Sequence, residues 1–253
     1  KENMFKSIKK NLKITLRLFI RNPFHIFTEW YSFYKQYSLF KKEAILSNEN
    51  LNFKFFPCLF DKKDYSLNVQ YYDYQNGWAI EQILKTKPNN LVDIGSNIAF
   101  LVFASKLTKV ITIDIRQHNI PIKNLETKIG DILNIPFENN SIEYLSSLSV
   151  IEHIGLGRYG DDIDFHGMQK SIDEFYRVLK INGTLLVSFP IGSKNNIEFN
   201  AHRRFSPEKI YEMFKKFSIQ EEIYILKNEI INVKKYQDIG KPDAFACFKF
   251  IKK

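Results

Sequence analysis

The feature that most constrains the fold is an alternation between short apolar runs and longer segments with helical spacing, from Leu91 to the end of the chain. Leu91-Val92-Asp93-Ile94 reads as a short buried strand that stops at Gly95. Ala99 to Leu107 suits a helix, and Lys109 to Ile113 is a β-branched strand ending at Asp114. Ser141 to Val150 contains the next strand. Met168, Ile172, Phe175, Val178 and Leu179 mark one apolar stripe, which predicts an amphipathic helix over Met168 to Lys180. Asn182-Gly183 then turns the chain into a strand over Thr184 to Phe189. Ser206 and Pro207 fit the N-cap and first position of another helix. Strand-like runs around Ile219 to Leu226 and Ala244 to Ile251 follow. Such alternation builds right-handed βαβ units around a mostly parallel sheet, so the predicted class is α/β. Ligands of these sheets bind beyond the carboxyl ends of the strands.

Three constellations stand out, the first two at predicted strand ends. Val92-Asp93-Ile94-Gly95-Ser96-Asn97 places a glycine where a ligand can approach the backbone closely, although Asn97 and Ala99 stand where a fuller glycine-rich loop would continue. Asp114 follows 21 positions after Asp93, where a carboxylate can accept hydrogen bonds from both hydroxyls of a ribose. Gly130-Asp131-Ile132 comes 17 positions later and offers a carboxylate, a backbone amide and an apolar surface to a purine ring. Each fits an ordinary turn or cap when taken alone. Their order and spacing are more specific than any one of them.

Over Leu91 to Ser193 the chain resembles the class I methyltransferases that use S-adenosylmethionine (SAM). Val92-Asp93-Ile94-Gly95 is similar to their first motif, Asp114 to their ribose acid and Gly130-Asp131 to their adenine motif. Val150 to Ile154 and Phe175 to Gly183 resemble the approaches to their fourth and fifth strands. A narrower resemblance, over roughly Tyr71 to Arg204, is to a subfamily associated with bacterial polysaccharide gene clusters. Its residues here are Glu152-His153-Ile154-Gly155-Leu156-Gly157-Arg158-Tyr159-Gly160-Asp161, Phe199-Asn200-Ala201-His202-Arg203, Tyr71-Tyr72 with Trp78, and Ile113-Asp114-Ile115-Arg116. The resemblance implies a Rossmann-like, mostly parallel seven-stranded sheet over residues 66–253; residues 1–65 lie outside it and read from their own spacing as a basic, aromatic-rich helical extension. It implies SAM as cofactor, leaving as S-adenosylhomocysteine (SAH), held by Asp93, Gly95, Ser96, Asp114, Ile115, Asp131, Ile132, Ser149, Tyr72 and Trp78.

Methyl transfer from a sulfonium is an in-line displacement, so the protein mainly positions the acceptor and removes its proton. His153 and His202 are candidate bases because neutral imidazole is available near pH 7, and Asp161 is the next candidate. Glu152, Arg158, Tyr159, Asn200 and Arg203 are candidates for binding the acceptor, the arginines through phosphate or carboxylate. Asp161, Asp162 and Asp164 could hold Mg²⁺ through hard oxygens, but a solvated loop or a helix cap explains them as well, and no metal site is assigned. The expected acceptor is a sugar or nucleotide-sugar hydroxyl in surface polysaccharide synthesis. An amine acceptor is the near alternative, and a degenerate methyltransferase fold acting as a binding module is the alternative of another class. A nicotinamide dehydrogenase fits less well, given Gly130-Asp131 and the two late strands.

The first 60 or so residues differ in character. They are aromatic and basic, with Lys1, Lys6, Lys9, Lys10, Lys13, Arg17 and Arg21 against Glu2 alone up to position 21. Ile8, Leu12, Leu16 and Phe19 recur at helical spacing, as do Phe27, Trp30, Tyr31 and Tyr34, with Pro23 between two helices. This segment accounts for much of the net charge of +9, which would otherwise suggest a nucleic-acid partner. It is a candidate for peripheral contact with anionic lipid, or for packing on the domain or a second subunit. Nucleic acid is not an expected partner; a homodimer is compatible. No apolar run approaches the ~20 residues of a membrane span, and no small-residue cleavage site follows Leu12 to Ile20. Cys58 and Cys247 are far apart and lack partners at metal-ligand spacing. The expected location is the cytoplasm, with the inner face of the inner membrane as the variant.

Overall fold

The computed structural model describes residues 23–46, 71–116, 121–199, 201–226, 229–231, 236 and 243–253. The chain divides into two compact units, Lys1–Asn68 and Val69–Lys253. In the first, helix α1 (Pro23–Leu46) begins at the expected proline, whose fixed φ suits a first helical turn. The predicted helix through Ile8 and Phe19 lies outside the described residues. Among the described residues no helix is long and apolar enough to cross a membrane.

The second unit contains α2 (Tyr71–Thr86), β1 (Asn90–Ile94), α3 (Ile98–Ala104), β2 (Lys109–Asp114), β3 (Leu125–Ile129) and β4 (Ile142–Leu148). A single 3₁₀ turn (Ile151–His153) leads to α4 (Gly167–Val178), β5 (Leu179–Ile191), the small hairpin β6 (Asn196–Glu198) and β7 (His202–Arg204), α5 (Pro207–Met213), β8 (Phe217–Leu226), β9 (Glu229–Ile231) and β10 (Ala244–Lys252). The sheet order is β3-β2-β1-β4-β5-β10-β8-β9. The first five strands run parallel, and β10 is antiparallel to both β5 and β8. Seven strands form the expected sheet, and the short β9 adds an eighth at the edge of β8.

Both faces of the sheet are covered, which is why its strands are nearly continuous apolar runs. Period-two alternation sends Val92, Leu185 and Val187 to one side, against Met168, Ile172 and Phe175 of α4. Leu91, Leu186 and Cys247 point to the other side, against Trp78 and Ile83 of α2 and Phe100 and Leu101 of α3. Local caps fix the helix starts: the Asn97 side chain accepts from the Phe100 amide at 3.0 Å, and Ser206 caps α5 ahead of Pro207 as its sequence implies. The Asn182-Gly183 turn appears as an irregularity inside β5, where Ile142 pairs with Leu179 but Tyr144 with Thr184. The strand order reverses between β1 and β4, which opens a crevice at their carboxyl ends.

Candidate functional site

A cavity of about 620 Å³ occupies this crevice. That is within the ~300–1,000 Å³ usual for small-molecule sites. Gly95, Ser96, Asp114, Ile115, Asp131, Ile132, Ser149 and Tyr72 all line it, so eight residues spread over the chain meet at one place.

Gly95 sits at φ +67°, and a Cβ there would meet Val150 Cγ1 at 3.1 Å. Only glycine turns the chain freely here. Asp93 directly precedes this turn but does not line the cavity. Its fully buried carboxylate accepts from the Ser96 amide (3.1 Å) and from the hydroxyls of Ser96 (2.5 Å), Thr112 (3.1 Å) and Ser146 (2.6 Å). Burial raises its pKa to about 6 against the pull of these donors. The expected cofactor contact at Asp93 is thus corrected: both oxygens are used in fixing the Gly95–Ser96 loop.

Asp114 is largely buried and gripped by Arg116, whose main-chain amide (2.8 Å), Nε (2.9 Å) and Nη2 (2.8 Å) all donate to it. These three bonds take up most of the roughly four lone-pair sites of a carboxylate, so a diol needs Arg116 to give up part of its hold. Asp131 is exposed and accepts the Leu133 amide at 2.9 Å, which shapes the turn that brings Ile132 and Leu133 to the cavity. Ser149 has φ +59°, and its Oγ donates to Gln75 Oε1 at 2.9 Å, as does Ser188 Oγ at 2.6 Å. Gln75 is fully buried in α2 and went unnoticed in the sequence, because a glutamine in a helix carries no local signal. Tyr72 lines the cavity, with burial and then Tyr71 pushing its pKa well up. Trp78, expected beside it, is elsewhere. It packs in the core and donates to Glu221 at 2.8 Å, beside a separate cavity of about 330 Å³. Six residues along a helix turn a side chain well away from its predecessor's face.

The acceptor candidates gather after β4. His153 lines the cavity; its Nδ1 lies 2.6 Å from the Ala201 carbonyl oxygen, and its Nε2 lies 3.7 Å from Glu152 Oε1. Burial lowers its pKa to about 4. His202 is 6.4 Å from the His153 ring, pairs with Glu198 at 3.4 Å and does not line the cavity. Asp161 lines it, but its carboxylate accepts the amides of Gly155 (2.7 Å), Gly157 (3.3 Å) and Tyr159 (3.2 Å). Partial burial pulls its pKa up, and those amides outweigh the burial to hold it below its ordinary value. A carboxylate so occupied closes a loop and is a poor base. Gly155 serves that loop at φ +80°, since a Cβ would stand 2.0 Å from the Asp164 carbonyl oxygen. Tyr159 lines the cavity, and Arg116 and Arg158 lie over its ring at 5.3 and 5.2 Å. Arg158 also donates to the Ala201 carbonyl at 3.1 Å.

Arg203, expected to grip the acceptor, is buried. Its guanidinium donates to the carbonyls of Ile154 (2.5 Å), Asp164 (3.0 Å) and Phe165 (3.2 Å), pinning the β7 strand to the preceding loop. Asn200 lies outside the described residues. Glu152 is buried and does not line the cavity. Among the described residues no group of three His, Cys, Asp or Glu side chains could hold a metal, and Asp164 is bound to Lys170, so the Mg²⁺ candidate has no support.

A family model described as "Caenorhabditis protein of unknown function, DUF268" matches residues 94–238, more than half of the chain. No curated protein matches it. Among solved structures, the [4+2]-cyclase SpnF superposes with a TM-score of 0.53 at 13% identity, over 71% of this chain and 80% of that one. Geranyl diphosphate C-methyltransferase from Streptomyces coelicolor A3(2), in complex with Mg²⁺, geranyl-S-thiolodiphosphate and SAH, gives 0.50 at 9% identity, over 70% and 76%. MccD protein gives 0.50 at 13% identity, over 72% and 97%. The likeness establishes the Rossmann-like class I methyltransferase fold. It does not extend to chemistry, since one of these neighbours is a cyclase.

Proposed function

The chain belongs to the DUF268 family, and from that premise, its fold and its cavity we propose that it is a SAM-dependent methyltransferase acting on a sugar or nucleotide-sugar hydroxyl. The observation that carries this reading is the convergence of Gly95, Asp114, Asp131 and Ile132 on one cavity at the point where the strand order reverses. These residues suit SAM: backbone exposed at a glycine, a carboxylate for a ribose diol, a second for an amino group, and Ile113, Ile132 and Leu133 for a purine face. Bound SAM supplies a methyl group already activated on a sulfonium sulfur. The remaining task falls to the chain. Because a carbonyl oxygen only accepts, His153 carries its proton on Nδ1, and Nε2 keeps its lone pair for an acceptor O–H.

The sugar acceptor rests on the resemblance around Gly155–Asp161 and Asn200–Arg203. Tyr72 and Tyr159 add flat faces for a sugar or base ring, and the reading of a phosphate-bearing acceptor is supported by Arg116, which lines the cavity, and by Arg158, which lies over the Tyr159 ring. Incubation with SAM and a panel of nucleotide sugars and amines, read by mass spectrometry for one added methyl group, tests the acceptor. Methylation of an amine alone would replace the hydroxyl reading. One observation favours a binding module instead, the grip of Arg116 on Asp114. Calorimetric titration with SAM separates the two, because a module that has lost the site binds none.

A further inference from the structure

Glu152 has a place that the functions above do not use. It sits in the 3₁₀ turn directly after β4, between core residue Ile151 and cavity residue His153. Only 2% of it is exposed. Oε1 lies 3.7 Å from His153 Nε2, and Oε2 is buried with no hydrogen-bond partner among the described residues. Leaving a buried carboxyl oxygen unsatisfied is costly, and such groups concentrate where a proton must be held or moved. A packing role is served better by glutamine or leucine, which carry no ionisable group into the core.

We propose that Glu152 and His153 form a proton-holding pair, in which Glu152 keeps the proton that His153 removes from the acceptor; this rests on the methyltransferase reading. Glu152 is a positioning residue here, since it acts through His153. The step balances. The acceptor oxygen forms its bond to the methyl carbon, the carbon–sulfur bond breaks with its pair going to sulfur, and the O–H proton passes to Nε2 and on to Oε1. A carboxylate and a sulfonium are consumed together, so no net charge is stranded in a buried place.

Among the described residues, the groups around the pair are few. Glu152 is faced by Tyr72 of α2 and by Arg158 of the following loop. His153 is faced by Arg158, by His202 of β7, by Asp161 and by the ring of Tyr159. Burial raises Glu152 to about 8 and lowers His153 to about 4, so near pH 7 the resting proton is on the glutamate. A cation entering the cavity favours the carboxylate, which releases that proton and readies Glu152 to take another.

Calorimetry with SAM and with SAH at pH 7, each in buffers of different ionisation heat, reads this release. The wild-type protein is expected to give up to about one proton more on binding the cationic SAM than on binding SAH. The difference is expected to vanish in Glu152→Gln and to persist in Glu152→Asp. Equal release by the two ligands in the wild-type protein overturns the proposal, and so does a difference that survives in Glu152→Gln. The wild-type comparison decides alone if that variant fails to fold. If neither ligand binds, the methyltransferase reading falls, and ¹⁵N titration of the His153 ring carries the test of the pair. An inflection near pH 8 supports it, and a profile without one overturns it.

Discussion

Arg116 clamps Asp114, with Nε 2.9 Å from Oδ1 and Nη2 2.8 Å from Oδ2. The acid expected to hold a ribose is therefore oriented before any ligand arrives. Replacing Asp114 with Ala removes charge-assisted hydrogen bonds of roughly 1.5–3 kcal/mol, and SAM binding should weaken about ten- to a hundredfold. Arg116→Ala leaves the carboxylate in place and should cost less than about tenfold. Calorimetry giving Asp114→Ala an unchanged affinity would remove the ribose assignment.

The two histidines should separate. His153 lines the cavity and His202 does not. On whichever acceptor the panel identifies, His153→Ala should lower turnover by about 10²–10⁴, the usual worth of a general base, with SAM affinity largely intact. His202→Ala should stay within about tenfold. The reverse order in a kcat comparison would transfer the role to His202.

Glu152 should also show in stability against pH. Its folded pKa of about 8 lies above the ordinary 4.5, so its contribution is full below about pH 4.5 and is lost as pH rises through 8. Glu152→Gln cannot ionise and escapes that loss. Thermal melts of the variant and the wild-type protein should therefore diverge between pH 5 and 9, the variant gaining a few kcal/mol in relative stability. Parallel curves would place the carboxyl in a more polar setting than the fold gives it.

Gly155 and Gly160 make a matched pair. Both have positive φ, +80° and +91°, but a Cβ at Gly155 meets the Asp164 carbonyl oxygen at 2.0 Å while one at Gly160 meets nothing within 4 Å. Gly160→Ala should cost about 1 kcal/mol of backbone strain. Gly155→Ala must also move the backbone and should cost about 3 kcal/mol or more. Denaturant titration of both variants checks the ranking.

Arg203 should behave as a structural residue. Its planar guanidinium serves three carbonyls at once, a geometry that an ammonium cannot copy. Arg203→Lys should therefore destabilise nearly as much as Arg203→Ala, by about 2–4 kcal/mol. Full stability in Arg203→Lys would return this residue to the list of acceptor contacts.

The strand and helix pattern was legible because it follows from period. Apolar runs, a helical stripe at Met168–Val178 and the Ser206-Pro207 cap are local, and the structure repeats them within a few residues. β3 was not read, since its Leu125–Ile129 run alternates Glu, Thr and Lys and is buried at Leu125 alone. The β6–β7 hairpin was also missed, because it is short and polar.

The sequence by itself determined the α/β class and set Gly95 and Asp114 at the ends of two successive strands, because spacing along a βαβ chain fixes which end of the sheet each residue reaches, whereas the third strand, β3, that leads to Asp131 emerged only in the folded structure. Tertiary structure alone decided what each polar group does there. Sheet register sets Asp93 opposite Thr112 on one neighbour and Ser146 on the other, which turns a presumed ligand contact into a buried hub. Folding over the loop after β4 spends Arg203 on main-chain carbonyls and leaves Glu152 buried beside His153. A side chain's chemistry depends on which donors and how much solvent surround it, and in this protein those neighbours come from strands and loops distant in sequence.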